Sequence, residues 1–218
     1  MTRRLIIFDV DGTLVDSQRH ILTAMDGAFG ALGLSVPPRA QVLGIVGLSL
    51  PVAMAELAPE QDAQAQARLV AAYKDTFTAE RAAALSPLYP GAAAALDALA
   101  QTDGVVLAIA TGKSRRGLDH LVAAHGWDGR FASMQVADDH PSKPHPSMIA
   151  ACLRDTGIAQ AQAVMVGDTR FDMEMAQAAG VAGIGVSWGY HPAASLGPRV
   201  IDSFDALPGA LAEIWGTA

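Results

Sequence analysis

The sequence is short of cysteine, of basic side chains and of long apolar runs, and each shortage excludes something. One cysteine in 218 residues, Cys152, leaves no partner for an intramolecular disulfide. Fifteen Lys and Arg stand against 22 Asp and Glu, a formal charge of −7, which argues against a broad nucleic-acid or anionic-membrane surface but allows a local basic pocket. Although 51% of the residues are hydrophobic, much of that is alanine. Pro, Gly or charged residues interrupt every apolar stretch well short of the about 20 residues that a membrane span needs. The opening segment offers only Leu5 to Phe8 before a carboxylate, too short for a secretory signal, so a cytoplasmic location is expected. There is no fixed-period repeat and no low-complexity linker.

What is present is a rhythm. Leu5-Ile6-Ile7-Phe8 is short, branched and apolar, the pattern of a strand buried on both faces. Val105 to Ala110, Ala163 to Val166 and Ala182 to Val186 are alike, and small or polar residues follow each run. Helical stretches lie between them: Pro90 to Ala100, Ser114 to Ala124, Pro146 to Thr156 stopped by Gly157, and Arg170 to Ala179 stopped by Gly180. A last helix is expected from Phe204 to Trp215. Strand and helix in alternation predict an α/β fold, a parallel sheet covered on both faces, with ligand beyond the carboxyl ends of the strands. Residues 16 to 86 break the rhythm. Ile21, Leu22, Met25, Ala28, Phe29 and Leu32 recur at helical spacing, and Leu69, Val70, Tyr73 and Phe77 mark a second long helix. The expected organisation is a core of 1–15 and 87–218 interrupted by a helical domain of 16–86.

The polar residues after the strands carry the chemistry. Asp9 and Asp11 stand two apart directly after the first strand, and Gly12 allows a sharp turn, so both carboxylates can face one point above the sheet. Like charges that close need a cation or a shared proton, and a hard divalent ion such as Mg²⁺ takes oxygen ligands while keeping positions for water and phosphate. Gly167-Asp168-Thr169 and Asp172 follow another strand and bring further carboxylates to the same edge, although Asp168 or Thr169 could also cap the next helix. Thr111-Gly112-Lys113 offers a hydroxyl and backbone N–H groups at a helix start, a cradle for an anion. Lys143, between Ser142 and Pro144, sits on a backbone stiffened by Pro144 and Pro146.

Asp9-Val10-Asp11-Gly12-Thr13, Thr111-Gly112-Lys113, Lys143-Pro144 and Gly167-Asp168-Thr169 with Asp172 occur in the order that resembles the haloacid dehalogenase superfamily of phosphohydrolases. The helical insertion and Gly185-Val186-Ser187-Trp188-Gly189-Tyr190 are similar to its phosphoglycolate phosphatase-like branch. The resemblance implies a Rossmann-like, doubly wound core with a helical cap. It also implies hydrolysis of a small phosphorylated metabolite, phosphoglycolate or a relative of it, through an aspartyl-phosphate. Asp9 would be the nucleophile, and Asp11 the acid and then the base. Mg²⁺ would be held by the Asp9 carboxylate, the Asp11 backbone carbonyl and Asp168, with support from Asp172. Thr111, Gly112 and Lys143 would bind the phosphate and stabilise its developing charge, and Lys143 would also restrain Asp9.

Two departures from other members matter. An acid/base residue at Asp11 argues against dehalogenation and phosphonate cleavage. A β-phosphoglucomutase-like sugar phosphomutase is a closer alternative, but such enzymes carry a His twelve residues after the nucleophile, where this chain has Ile21. His20 comes one place early, about 100° away on a helix, and is expected to be an exposed polar residue. A catalytically silent member that binds a phosphorylated ligand or a partner protein is a third alternative. Asp138, Asp139, His140 and His145 are read as loop residues around Lys143, not a second metal site. Lys113 is expected near substrate, Arg115 and Arg116 on a solvated face, Tyr73 and Phe77 in the cap core, and Cys152 as an inert core thiol. Gly44 to Leu50 is expected to face the site.

Overall fold

Leu5 to Phe8 falls in β1 (Arg4–Phe8), and the computed structural model, which describes residues 2–216, hydrogen-bonds this strand on both sides. The other strands are β2 (Val105–Thr111), β3 (Ser133–Val136), β4 (Ala163–Gly167), β5 (Ala182–Val186) and β6 (Val200–Ile201). All are parallel, in the order β3-β2-β1-β4-β5-β6. Because side chains alternate along a strand, Ile6 and Phe8 enter one core layer and Leu5 and Ile7 the other. All four are fully buried, each contributing about 1.5–3 kcal/mol of apolar transfer.

Four helices separate β1 from β2 before the core resumes: α1 (Gln18–Ala31), α2 (Arg39–Gly44), α3 (Leu50–Leu57) and α4 (Ala63–Ala83). They bury Ile21, Met25, Phe29, Val42, Met54 and Leu69 in a hydrophobic cluster of their own. The remaining helices are α5 (Ala92–Ala100), α6 (Arg115–His125), α7 (Ser147–Thr156), α8 (Arg170–Ala178) and α9 (Leu207–Trp215). Leucines of α5, α6 and α9 pack on one sheet face, while Met148 and Cys152 of α7 and Met175 of α8 pack on the other. This is the doubly wound parallel sheet that the alternation predicts. No helix among the described residues is long and apolar enough to cross a membrane.

Two strands escaped the sequence pattern. β6 has two residues, and β3 reads Ser-Met-Gln-Val, without the apolar run of a central strand. Both lie at sheet edges, where a strand pairs on one side only and a weaker pattern suffices.

Candidate active site

The chain order reverses around β1, which lies between β2 and β4, and the polar residues that follow these strands converge beyond their carboxyl ends. After Asp9 the backbone coils through one tight turn, in which the N–H groups of Leu14 and Val15 donate to the Val10 carbonyl at 3.0 and 2.9 Å. Gly12 makes this turn with a φ of +88°, and a Cβ there would stand 2.2 Å from Asp168 Oδ2. Only glycine meets both the conformation and the close approach.

Lys143, expected on a stiff loop and, by the resemblance, against Asp9, is 1% exposed at the base of the site. Its Nζ donates to Asp9 Oδ1 at 2.8 Å and to Asp172 Oδ1 at 2.7 Å. Burial disfavours the ammonium, but the charges of Asp172 and Asp9 outweigh it and hold the Lys143 pKa above its ordinary value. Burial dominates at Asp9: despite Lys143, desolvation and the charges of Asp172 and Asp11 push this carboxyl up to about 6. Asp168 is likewise well above the ordinary carboxyl range, by burial and by the charges of Asp172 and Asp9. Its oxygens accept from Thr13 Oγ1 at 3.0 Å and from the Tyr190 N–H at 2.8 Å.

Asp9, Asp168 and Asp172 each offer an oxygen, and these atoms lie within 4.8 Å of one another. Three buried carboxylates face a single buried ammonium, so the chain's own charges leave the cluster anionic. An all-oxygen, anionic donor set of this kind fits a hard divalent cation. Asp172 has a second duty. It completes a capping box with Thr169 at the start of α8, where Thr169 Oγ1 donates to Asp172 Oδ2 at 2.7 Å. Helix capping and charge clustering thus coexist, with Thr169 as the cap.

The Asp11 carboxylate turns away from this cluster. Lys113 Nζ stands 2.8 Å from its Oδ2, and Ser17 Oγ donates to its Oδ1. The same ammonium lies 5.0 Å from the Phe77 ring centroid of α4, so one lysine touches both the sheet edge and the insertion. Thr111 is buried at the end of β2, and its hydroxyl accepts the Lys113 N–H at 3.3 Å. Gly112 faces the loop after α2 so closely that a Cβ would stand 2.5 Å from the Gly47 carbonyl oxygen. The Ser49 N–H donates to Ser142 Oγ at 2.8 Å, and His191 Nε2 lies 3.1 Å from the Gly44 carbonyl. A cavity of about 600 Å³ lies between the sheet edge and the insertion, with Asp9, Asp11, Thr111, Gly112 and Lys113 in its wall.

The structure brings Asp9, Asp11, Thr111, Gly112, Lys143, Asp168 and Asp172 to one sheet edge. It corrects the expectation for His20, which is 4% exposed rather than solvated. His20 Nδ1 lies 2.7 Å from Ser86 Oγ, its ring meets Phe77 edge-on, and burial lowers its pKa. Ile21, not His20, lines the cavity. Asp138 accepts the Arg115 N–H at the start of α6, whose N-cap is Ser114, and His140 is held between Gln135 and Ser147. Four contributors had no role assigned from the sequence, although Thr13 and Tyr190 stand in its motifs: Thr13 and Tyr190 on Asp168, Ser17 on Asp11, and Ser142 beneath the loop after α2. Trp188 Nε1 bonds the Thr13 carbonyl at 3.1 Å. The one available signal was hydroxyl residues crowded into the Asp9 to Ser17 turn.

A doubly wound parallel sheet that gathers carboxylates and a buried lysine at its switch point, beneath a helical insertion, defines a class of α/β protein built to bind at that edge. Within that class the chain belongs to the haloacid dehalogenase-like hydrolase family, which matches residues 6–186. The chain is similar to the probable phosphatase IndB of Dickeya dadantii, 36% identical across 94% of this chain and 92% of that protein. It is also similar to a phosphoglycolate phosphatase of Mesorhizobium japonicum, 31% identical across 98% and 96%. Among solved structures, a hydrolase from Pseudomonas syringae shares the fold with a TM-score of 0.86 at 23% identity, covering 97% of this chain and 99% of the other.

Proposed function

We propose that the protein is a Mg²⁺-dependent phosphomonoesterase that acts on a small anionic phosphate ester, with phosphoglycolate as the model compound. The observation that carries this reading is the buried Asp9, at the end of β1, held at 2.8 Å by Lys143 and beside two further buried carboxylates. The similarity to named phosphatases over most of the chain supports it.

In this mechanism an Asp9 oxygen attacks phosphorus, and the phosphorus–ester oxygen bond breaks as the aspartyl-phosphate forms. Asp11 gives its proton to the leaving alkoxide, then takes one from the water that attacks the acyl phosphate. Inorganic phosphate leaves and the Asp9 carboxylate is restored. Thr111, the N–H groups after it and Lys143 stabilise the charge on the equatorial oxygens. Ser17 and Lys113 hold Asp11. The Asp9 carboxylate, the Asp11 carbonyl and Asp168, with Asp172 beside them, would hold Mg²⁺, which would supply charge neutralisation for the phosphoryl oxygens. Residues 16–86 serve as a cap, closing to exclude water from the first step and opening to admit it for the second.

Phosphate release from p-nitrophenyl phosphate and phosphoglycolate, with and without Mg²⁺, tests the proposal. Release that needs Mg²⁺ and vanishes in Asp9→Asn supports it. No release by the wild type, or equal release by Asp9→Asn, leaves a silent binding protein as the better reading. Ile21 lines the cavity where a mutase would carry its His, so isomerisation of β-glucose 1-phosphate is not expected.

A further inference from the structure

The cavity has two chemically different ends. Asp9, Asp11 and Thr111 lie at one, where Lys113 is already engaged by Asp11 at 2.8 Å. Its middle is apolar, walled by Ile21 and Met25 of α1, Val46 and Leu48 of the loop after α2, and Phe77 of α4. Beyond Phe77 stand Arg81 of α4 and Arg116 of α6, both in the cavity wall. Arg81 is one helical turn past Phe77, whose ring centroid is 5.0 Å from Lys113 Nζ. Arg116 is three residues past Lys113.

These arginines lack acidic partners. Arg19, Arg115 and Arg130 each pair with a carboxylate, whereas neither Arg81 nor Arg116 has an ion pair among the described residues. Asp138 also lines the cavity, but its Oδ2 accepts the Arg115 N–H at 2.7 Å. Arg81 is partly buried and Arg116 exposed. Burial, and then the charge of Arg116, hold Arg81 below the ordinary guanidinium value. Two neighbouring guanidinium groups without a carboxylate are matched to an anion that arrives with the ligand. The volume of about 600 Å³ lies within the roughly 300–1,000 Å³ of pockets that enclose drug-sized ligands. Glycolate would leave most of it empty.

We infer that the ester's leaving group carries a second anionic group, joined to the reacting phosphate through an apolar or aromatic spacer, and that Arg81 and Arg116 bind it. The inference rests on the phosphatase reading above and narrows its substrate class: like phosphoglycolate the ligand is anionic at both ends, but it is longer and apolar between them.

The test compares kcat/KM for phenyl phosphate, 4-carboxyphenyl phosphate, 1,4-phenylene bisphosphate and phosphoglycolate with Mg²⁺. In parallel, calorimetric Kd values are measured for the first two esters on Asp9→Asn. The doubly anionic aryl esters should exceed both phenyl phosphate and phosphoglycolate by about tenfold, the effect of one well-made charged contact. The better of the two shows whether the distal group is a carboxylate or a phosphate. Arg81→Ala and Arg116→Ala should bring the ratio of 4-carboxyphenyl to phenyl ester toward one. A ratio near one in the wild type, or one that survives both substitutions, overturns the inference and leaves the phosphatase reading standing. If no ester releases phosphate yet Asp9→Asn prefers the carboxylated ester, the anion site stands and the phosphatase reading falls. Absence of both release and preference overturns the two together.

Discussion

Lys143 Nζ reaches Asp172 Oδ1 at 2.7 Å, as close as it comes to Asp9 at 2.8 Å. One ammonium thus ties the loop after β3 to the end of β1 and to the first turn of α8. Removing it strands two buried carboxylates. Breaking a buried pair from one side costs ~3–5 kcal/mol, so Lys143→Met should lower the unfolding free energy from urea denaturation by that amount in EDTA. Saturating Mg²⁺ should restore much of the loss, because a divalent cation offsets the same charges. An equal loss in both conditions would assign the effect to packing.

The raised Asp9 pKa sets a pH dependence with an unusual sign. A carboxyl at about 6 in the folded state and 3.8 in the ordinary state binds more protons folded than unfolded between those values. Its relative stabilisation is present below the unfolded value and lost as pH rises through about 6. In EDTA, wild type should therefore lose stability relative to Asp9→Asn between pH 4.5 and 7.5, and Asp9→Asn should be the more stable protein at the upper end. His20, His125, His140 and His191, all lowered chiefly by burial, act in the opposite direction but are common to both proteins and cancel in the difference, whereas Asp168, raised by burial and in part by the Asp9 charge, adds to the same trend in wild type. Mg²⁺ favours the ionised carboxylate and should flatten the difference. Urea denaturation across the range checks this, and a difference that grows in favour of wild type with rising pH would refute it.

The central strands were legible because they are apolar on both faces, which leaves few other ways to bury Leu5 to Phe8. The site was legible for a related reason: residues that follow parallel strands have one place to go. His20 was misjudged because periodicity locates a helical face but not what crosses above it. Its cover comes from Phe77, more than fifty residues away in sequence, and from Ser86. Lys143 shows the same limit from the other side. Flanking prolines predict a stiff loop and the resemblance an Asp9 contact, but neither shows that Asp172 of α8 would join Asp9 in drawing the ammonium beneath the surface.

Thr13 closes the first motif with no role assigned from the sequence, and its contact with Asp168 supplies a sharp test. Its Oγ1 donates to Asp168 Oδ1 at 3.0 Å from a fully buried position. Thr13→Val keeps the volume but removes the donor, which leaves Asp168 free to rotate. Loss of a partner that orients a metal ligand typically costs about 10–100-fold in affinity. The Mg²⁺ Kd from calorimetry should rise by that factor, while the unfolding midpoint in EDTA should move little. An unchanged Kd would mean that the Tyr190 N–H alone orients Asp168.

Gly112→Ala tests whether the insertion must seat on the sheet edge for turnover. The new Cβ would stand 2.5 Å from the Gly47 carbonyl and 2.8 Å from the Leu48 carbonyl, both backbone atoms that cannot rotate away. Since the loop after α2 must withdraw, the Ser49 N–H to Ser142 bond should lengthen and the cavity open. Overpacking of this kind costs ~1–3 kcal/mol, which corresponds to roughly 5–150-fold in kcat/KM if it falls on the closed form. The core fold should survive, because the clash lies between two loops and not in either sheet layer. The expected result is a drop in kcat/KM for p-nitrophenyl phosphate with a small change in unfolding midpoint and a larger radius of gyration by X-ray scattering. Wild-type kcat/KM in a folded Gly112→Ala protein would show that the contact is incidental to the reaction.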